Sequence, residues 1–240
     1  MDPLTSTVAS GLRARLEALD MLANNVANAS TAGFKKDGEF YGIFRGELDS
    51  GADTDMPVIE KNWTDFSQGT LQTTGGALDF ALSGPGWFTV NSPGGGTMYT
   101  RNGNFHVNST GAVTTQEGYP VRLAGGAPLK IQPGAPVSVA ADGSLTQSGA
   151  PLGRLNVVEF AAGELTRNGA SFFRPANAAT TGKPAPGTEV LQGKLENANV
   201  SAPEAAVRLV GLTRTFESLQ RALQIGSEMN RKSIEELAKV

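Results

Sequence analysis

The sequence predicts an α+β protein: a central, mainly antiparallel β-domain flanked by N- and C-terminal amphipathic helices. Apolar residues recur at steps of three and four near both ends of the chain. Between the ends, short alternating runs are broken by Gly-rich turns. With 30 glycines in 240 residues and only 18% charged residues, the composition favours strands and turns in the middle over a helical bundle.

The first helix is expected from about Leu4 to Ala29, with Pro3 suited to a first helical position. Ala9, Leu12, Leu16, Leu19, Ala23 and Val26 fall on a seam with coiled-coil spacing. Asn28, Ser30, Thr31 and Gly33 then end the helix. These residues form a first part, 1–34, followed by an extended linker or β-hairpin connection over 35–75.

The β-rich part spans 76–190. Leu78, Phe80 and Leu82 alternate with Asp79 and Ala81, and Trp87-Phe88-Thr89-Val90 follows the turn Gly84-Pro85-Gly86. Asn102-Gly103, between Tyr99–Arg101 and Asn104–Val107, reads as a type I′ hairpin turn. Asp142-Gly143, between Val137–Val139 and Ser144–Thr146, reads as a second. Leu155–Phe160 is a further strand, and Asp49–Met56 and Asn177–Gly187 read as loops. Together these suggest a sandwich or barrel-like domain.

The last part, 191–240, is a return connection and a helix from about Ala202 to Ala238. Ser201 and Glu204 have capping-box spacing, with Pro203 in the first turn. Leu209, Leu212, Phe216, Leu219 and Leu223 form its seam, and Gly226 interrupts it. Short isolated helices are marginal in water, so the two apolar stripes require cover. They can find it in each other, in other subunits, or in the β-domain.

Composition and motifs argue against several functions. Net charge is −3, and the 20 basic and 23 acidic residues form no basic stripe, so no nucleic-acid partner is expected. No run approaches the ~20 apolar residues of a membrane span, so no membrane insertion is expected. There is no cysteine, which excludes disulfides and cysteine metal sites. The start Met1-Asp2-Pro3, with Arg13, Arg15 and Glu17 inside the apolar pattern, does not read as a cleavable signal peptide.

The only histidine, His106, has no visible metal or catalytic partner and is expected to pack on the surface of a hairpin. Asp142-Gly143-Ser144 lacks the ligand pattern of a calcium loop. Glu159 and Asp142 lack the paired carboxylate that a wall hydrolase needs. No catalytic residue, cofactor, metal or small-molecule substrate is expected, and the chain does not read as an enzyme. Lys35-Lys36 reads as a solvated edge.

The stretch from Leu22 to Lys35 contains Asn24-Asn25-x-Ala27-Asn28-x-x-Thr31-x-Gly33-Phe34-Lys35. It resembles the N-terminal motif of the flagellar rod and hook family. Three further stretches resemble motifs of that family: Gly84-x-Gly86-Trp87-Phe88, Tyr99-Thr100-Arg101, and Glu196-Asn197-Ala198-Asn199-Val200. A looser match covers Arg214, Phe216, Glu217 and Gln220. Asn102, Asp79–Trp87, Ala140–Gly143, Leu152–Leu155 and the short length point to the proximal-rod type before the distal-rod type, and to the hook type last.

The resemblance implies a structural subunit of the hollow axial shaft of the basal body. It implies partners among copies of itself and other rod subunits. It also implies export through the flagellar type III apparatus into the periplasm, with the terminal helices pairing as an inner coiled coil. It casts Asn24, Asn25, Asn28, Thr31, Gly33 and Phe34 as an assembly motif. Read without the resemblance, the β-domain also suits a secreted binding module, but that leaves the Asn-rich helix end and the C-terminal seam unexplained.

Overall fold

The computed structural model describes residues 3–47, 53–92, 94–177 and 179–237. The expected divisions at 34, 75 and 190 are boundaries along the chain. In space the chain sorts into two compact units, one of residues 1–27, 36–65 and 200–240, the other of 28–35 and 66–199. Each is assembled from segments far apart in sequence.

The first unit holds helix α1 (Pro3–Ala27), strands β1 (Asp37–Glu47) and β2 (Asp53–Thr64), and helix α2 (Ala202–Leu237). β1 and β2 form a long antiparallel hairpin with a register shift at Phe40/Tyr41. Asp53–Met56, expected in a loop, belong to β2. Polar residues on a two-stranded ribbon give no alternating signature, so sequence pattern misses them. The rest of that expected loop, 49–52, lies outside the described residues. α1 ends where the Thr31 N–H turns back to the Asn28 carbonyl at 3.0 Å. α2 starts with the Ala205 N–H bonded to the Ser201 carbonyl at 2.9 Å, and Glu204 lies in the first turn, where the helix dipole favours an acid.

The second unit is built on antiparallel strands. They include β3 (Leu71–Thr73), β4 (Phe80–Ser83), β5 (Trp87–Asn91) and β6 (Thr97–Thr100). β5 and β6 lie at the centre of a six-stranded sheet whose other strands are Leu165–Arg167, Phe172–Pro175, Val157–Glu159 and Lys183–Pro184. Alternate residues enter two cores, as the pleat requires. Phe88, Val90, Met98 and Phe172 join one with Phe80, Leu82, Phe105 and Val113. Trp87, Tyr99 and Phe173 join the other with Val158 and Leu165. This two-sided burial explains the continuous run Trp87-Phe88-Thr89-Val90.

Asp142-Gly143 is a hairpin turn as expected, with Val139 paired to Leu145, but Gly143 has positive φ, at +84°, and Asp142 does not, so the turn is not type I′. Asn102-Gly103 is not. β6 pairs with β5 and with Phe172–Phe173, whereas His106–Val107 pairs with Val113–Thr114. Gly103 is needed for a different reason. A Cβ there would lie 1.7 Å from the Phe80 carbonyl oxygen, and the Phe80 N–H bonds the Gly103 carbonyl at 3.0 Å. The close crossing of two backbones, not a left-handed turn, sets that residue.

Candidate assembly site

The two ends of the chain meet in the first unit. Ala18, Leu22, Ala205 and Leu212 are buried together, with Leu19, Val200 and Leu209 packed at their edges. The buried line of α1 runs through Gly11, Ala14, Ala18, Leu22 and Asn25. This line lies beside the expected seam, not on it. Leu12 and Leu19 are half-buried, while Leu16 and Val26 are exposed. On α2, Leu212 is buried and Leu209, Phe216, Leu219 and Leu223 are half-buried. Val207, Val210, Ile225 and Met229 are exposed, Val207 at 75%. Adjacent lines of a helix share the same three-and-four spacing. Small residues win the inner line because they let the second helix approach, and the leucines flank it.

Asn25 is buried and ties α1 to the start of β1. Its Nδ2 donates to the Asp37 carbonyl at 2.7 Å, and the Asp37 N–H donates to its Oδ1 at 2.9 Å. The amide thus imitates a neighbouring peptide group. The Thr64 hydroxyl donates to the Asp37 carboxylate at 2.6 Å and closes the other side of the hairpin. Asn24 is exposed and Asn28 half-buried. The Thr31 hydroxyl donates to Asn28 Oδ1 at 3.2 Å within the turn that ends α1.

The remaining motif residues lie inside the second unit. Gly33 has φ +67°, and a Cβ there would stand 2.2 Å from the Asn102 nitrogen. Its N–H donates to the Glu196 carbonyl at 2.7 Å. Phe34 is wholly buried, with the Arg167 guanidinium 4.8 Å from its ring centre. Lys35, expected at a solvated edge, is also wholly buried. Lys36 keeps the expected exposure and pairs with Asp65 at 3.5 Å. Counting two adjacent lysines could not separate them, because they point to opposite sides of an extended segment.

Lys35 leads to a centre that the sequence reading did not assemble. Lys35 Nζ lies 2.6 Å from Glu196 Oε1 and donates to the Ser67 carbonyl at 2.6 Å. The Gly69 N–H donates to the same carboxylate oxygen at 3.0 Å. Arg101 Nη1 reaches the other oxygen at 3.2 Å, and Nη2 donates to the Gly84 carbonyl at 2.6 Å. Burial pulls the Arg101 guanidinium below the usual arginine range, and the Glu196 charge works against that shift. Arg167 donates to the Lys35 carbonyl and stacks over Phe34 and Phe173. The signal was present in pieces: Lys35, Arg101 and Glu196 each sit in a separate motif quoted above, and these motifs share one carboxylate.

His106 is half-buried, its Nε2 3.1 Å from the Thr114 hydroxyl. No group of acidic or histidine side chains fit to hold a metal ion occurs among the described residues. No described helix is long and apolar enough to cross a membrane.

Three family models match the chain: "Flagella basal body rod protein" over residues 6–35, "Flagellar hook protein FlgE/F/G D1 domain" over 81–147, and "Flagellar basal body rod FlgEFG protein C-terminal" over 191–236. None describes an enzyme. Among curated proteins, the flagellar basal-body rod protein FlgF of Caulobacter vibrioides is 32% identical, with 92% of each chain covered. FlgF of Rhizobium meliloti is 33% identical over 91% of each. The rod protein FlgG of Bacillus subtilis is 30% identical, covering 92% of this chain and 93% of its own.

Proposed function

Because the chain belongs to the flagellar basal-body rod family and is a structural subunit of the rod, we propose that it joins its neighbours through the outer faces of its terminal helices. The observation that carries this is the apolar surface left over after α1 and α2 have packed. Leu16 and Val26 on α1, and Val207, Val210, Ile225 and Met229 on α2, remain exposed. Exposed apolar residues on two packed helices mark a surface made for a partner.

In the assembled shaft these faces are covered by copies of the chain and by other rod subunits, with the helices pairing as an inner coiled coil. Of the expected seam, Leu16 and Val26 belong to this outer surface, Leu212 is buried inside the subunit, and the half-buried Leu12, Leu19, Leu209, Phe216, Leu219 and Leu223 border both. Asn24 and Asn28, at the accessible end of α1, are the members of the motif best placed to set register against a neighbour. Asn25, Thr31, Gly33 and Phe34 serve assembly indirectly, by holding the shape of the subunit.

Export through the flagellar type III apparatus into the periplasm belongs to the same proposal. The similarity to FlgF supports a place at the junction of proximal and distal rod, and the similarity to FlgG leaves the distal rod as the second reading.

Electron microscopy of basal bodies from a strain lacking the gene tests this reading. Rods cut short near the junction, without hooks, are expected. Complete rods carrying hooks would overturn it.

A further inference from the structure

Beside the turn that joins β5 to β6, the second unit carries a recess of about 520 Å³. Ser92, Thr97, Tyr99, Arg174, Thr180 and Thr181 line it, and no acidic side chain stands among its described lining residues. Tyr99 is only 8% exposed. A buried tyrosine normally finds a partner for its O–H. The hydroxyl of Tyr99 has none among the described residues, and it is not one of the atoms sealed from solvent. Burial pushes this hydroxyl above the usual tyrosine range, against the charge of Arg122, so it keeps its proton and can donate at neutral pH.

Two neighbouring hydroxyls are turned into donors as well. Arg122 Nη1 donates to the Thr97 hydroxyl at 2.6 Å, and Arg174 Nη2 donates to the Ser92 hydroxyl at 3.2 Å. Each hydroxyl accepts from a cation and keeps its own hydrogen for another acceptor. Thr97 and Tyr99 lie two residues apart on β6, so they project from one face of the sheet. Neither arginine pairs with a carboxylate among the described residues. Both charges therefore act on the recess, although the chain as a whole carries a net charge of −3.

We propose that this recess binds a phosphate group, either free or as the monoester of a small alcohol. Ser92, Thr97 and Tyr99 donate to its oxygens, and Arg174 supplies the ionic contact. Convergent donors with no carboxylate beside them select an anion, because hydrogen bonds to a charged acceptor are the stronger ones. A phosphate monoester offers three strong acceptor oxygens and so engages more of these donors than the two oxygens of a carboxylate. The volume leaves room for a short alcohol tail beside Thr180 and Thr181.

The test titrates the full isotope-labelled chain with inorganic phosphate and with glycerol phosphate at constant ionic strength, with chloride as the control. The amide resonances of Gly94, Gly96 and Thr181, which line the recess, report occupancy. Saturable shifts with a phosphate probe and none with chloride are expected. Tyr99→Phe, which removes only the hydroxyl, and Arg174→Gln should each weaken binding about tenfold or more, as the loss of a hydrogen bond to a charged group does. Tighter binding of glycerol phosphate supports a monoester site, and equal or weaker binding supports a site for the free ion. Shifts that fail to saturate, that chloride reproduces, or that survive Tyr99→Phe unchanged would overturn the proposal. If the melting temperature of Tyr99→Phe shows misfolding, Arg174→Gln decides in its place, because Arg174 is exposed.

Discussion

Replacing Glu196 with Gln keeps the shape of the side chain and removes its charge. Two cations, Lys35 at 2.6 Å and Arg101 at 3.2 Å, then lose the carboxylate they share, in surroundings where Lys35 and Glu196 have no exposed surface. Breaking a buried ion pair from one side costs about 3–5 kcal/mol, because the remaining charge stays buried without compensation. In a chain of this size, each kcal/mol lowers the melting temperature by about 2–4 °C, so a drop of about 6–20 °C is expected. Circular dichroism melts measure it. Hydrogen exchange locates it, since the Gly69 amide bonds the carboxylate directly and should lose protection. Lys36→Ala, at an exposed ion pair, should change the melt little. Converting Lys35 to Met in the Gln variant should recover part of the loss, because it removes one stranded charge. A melt within about 2 °C of the parent, with Gly69 still protected, would refute the reasoning.

Four further outcomes are expected. Gly33→Ala places a Cβ against the Asn102 nitrogen at φ +67° and should destabilise the second unit by more than the ~1–2 kcal/mol of the backbone conformation alone, read from the same melts. Asn25→Ala strands the Asp37 N–H and carbonyl and should cost about 2–3 kcal/mol, with exchange at the Asp37 amide rising first. Leu212→Asp should destabilise the first unit, whereas Leu16→Asp should leave the melt of the subunit nearly unchanged and impair rod assembly in microscopy; the reverse pattern would contradict the exposed-face reading. The Ser144 N–H and hydroxyl hold the Asp142 carboxyl below its ordinary value of 3.8. Its support of the turn is therefore complete above that value and is lost as pH falls through the lower folded value, and carbon-detected titration of Asp142 should show a midpoint below 3.8 that Ser144→Ala raises.

The order of elements was legible because periodicity and turn chemistry are local. Both helices lie within two residues of their expected limits, the largest difference being the end of α1 at Ala27 where Ala29 was expected. The turn at Asp142-Gly143 was legible for the same reason. Asn102-Gly103 misled because a glycine demanded by a backbone crossing looks the same in sequence as a glycine demanded by a turn. On α1 the buried line lies beside the expected seam, because spacing fixes a helix period but not which of two adjacent lines is inner; on α2 the buried Leu212 and the half-buried Leu209, Phe216, Leu219 and Leu223 lie on the expected line. The charged centre was illegible as a whole. Lys35 and Glu196 are separated by 161 positions, and no local pattern says that a lysine following Gly-Phe points inward. Lys35, Arg101 and Glu196 each lie in a stretch singled out for other reasons, whereas Ser67, Gly69 and Arg167 do not.

That separation sets a clock. The pocket that buries Phe34 and Lys35 lacks its carboxylate, and the strand Lys194–Glu196 that pairs with β3, until residue 196 has emerged. At about 5–20 residues per second of synthesis, the 161 positions between the partners amount to about 8–30 s. For that interval the N-terminal motif belongs to an open chain. Under the export route proposed above, this is a natural delay, because closure waits until residue 196 has been made.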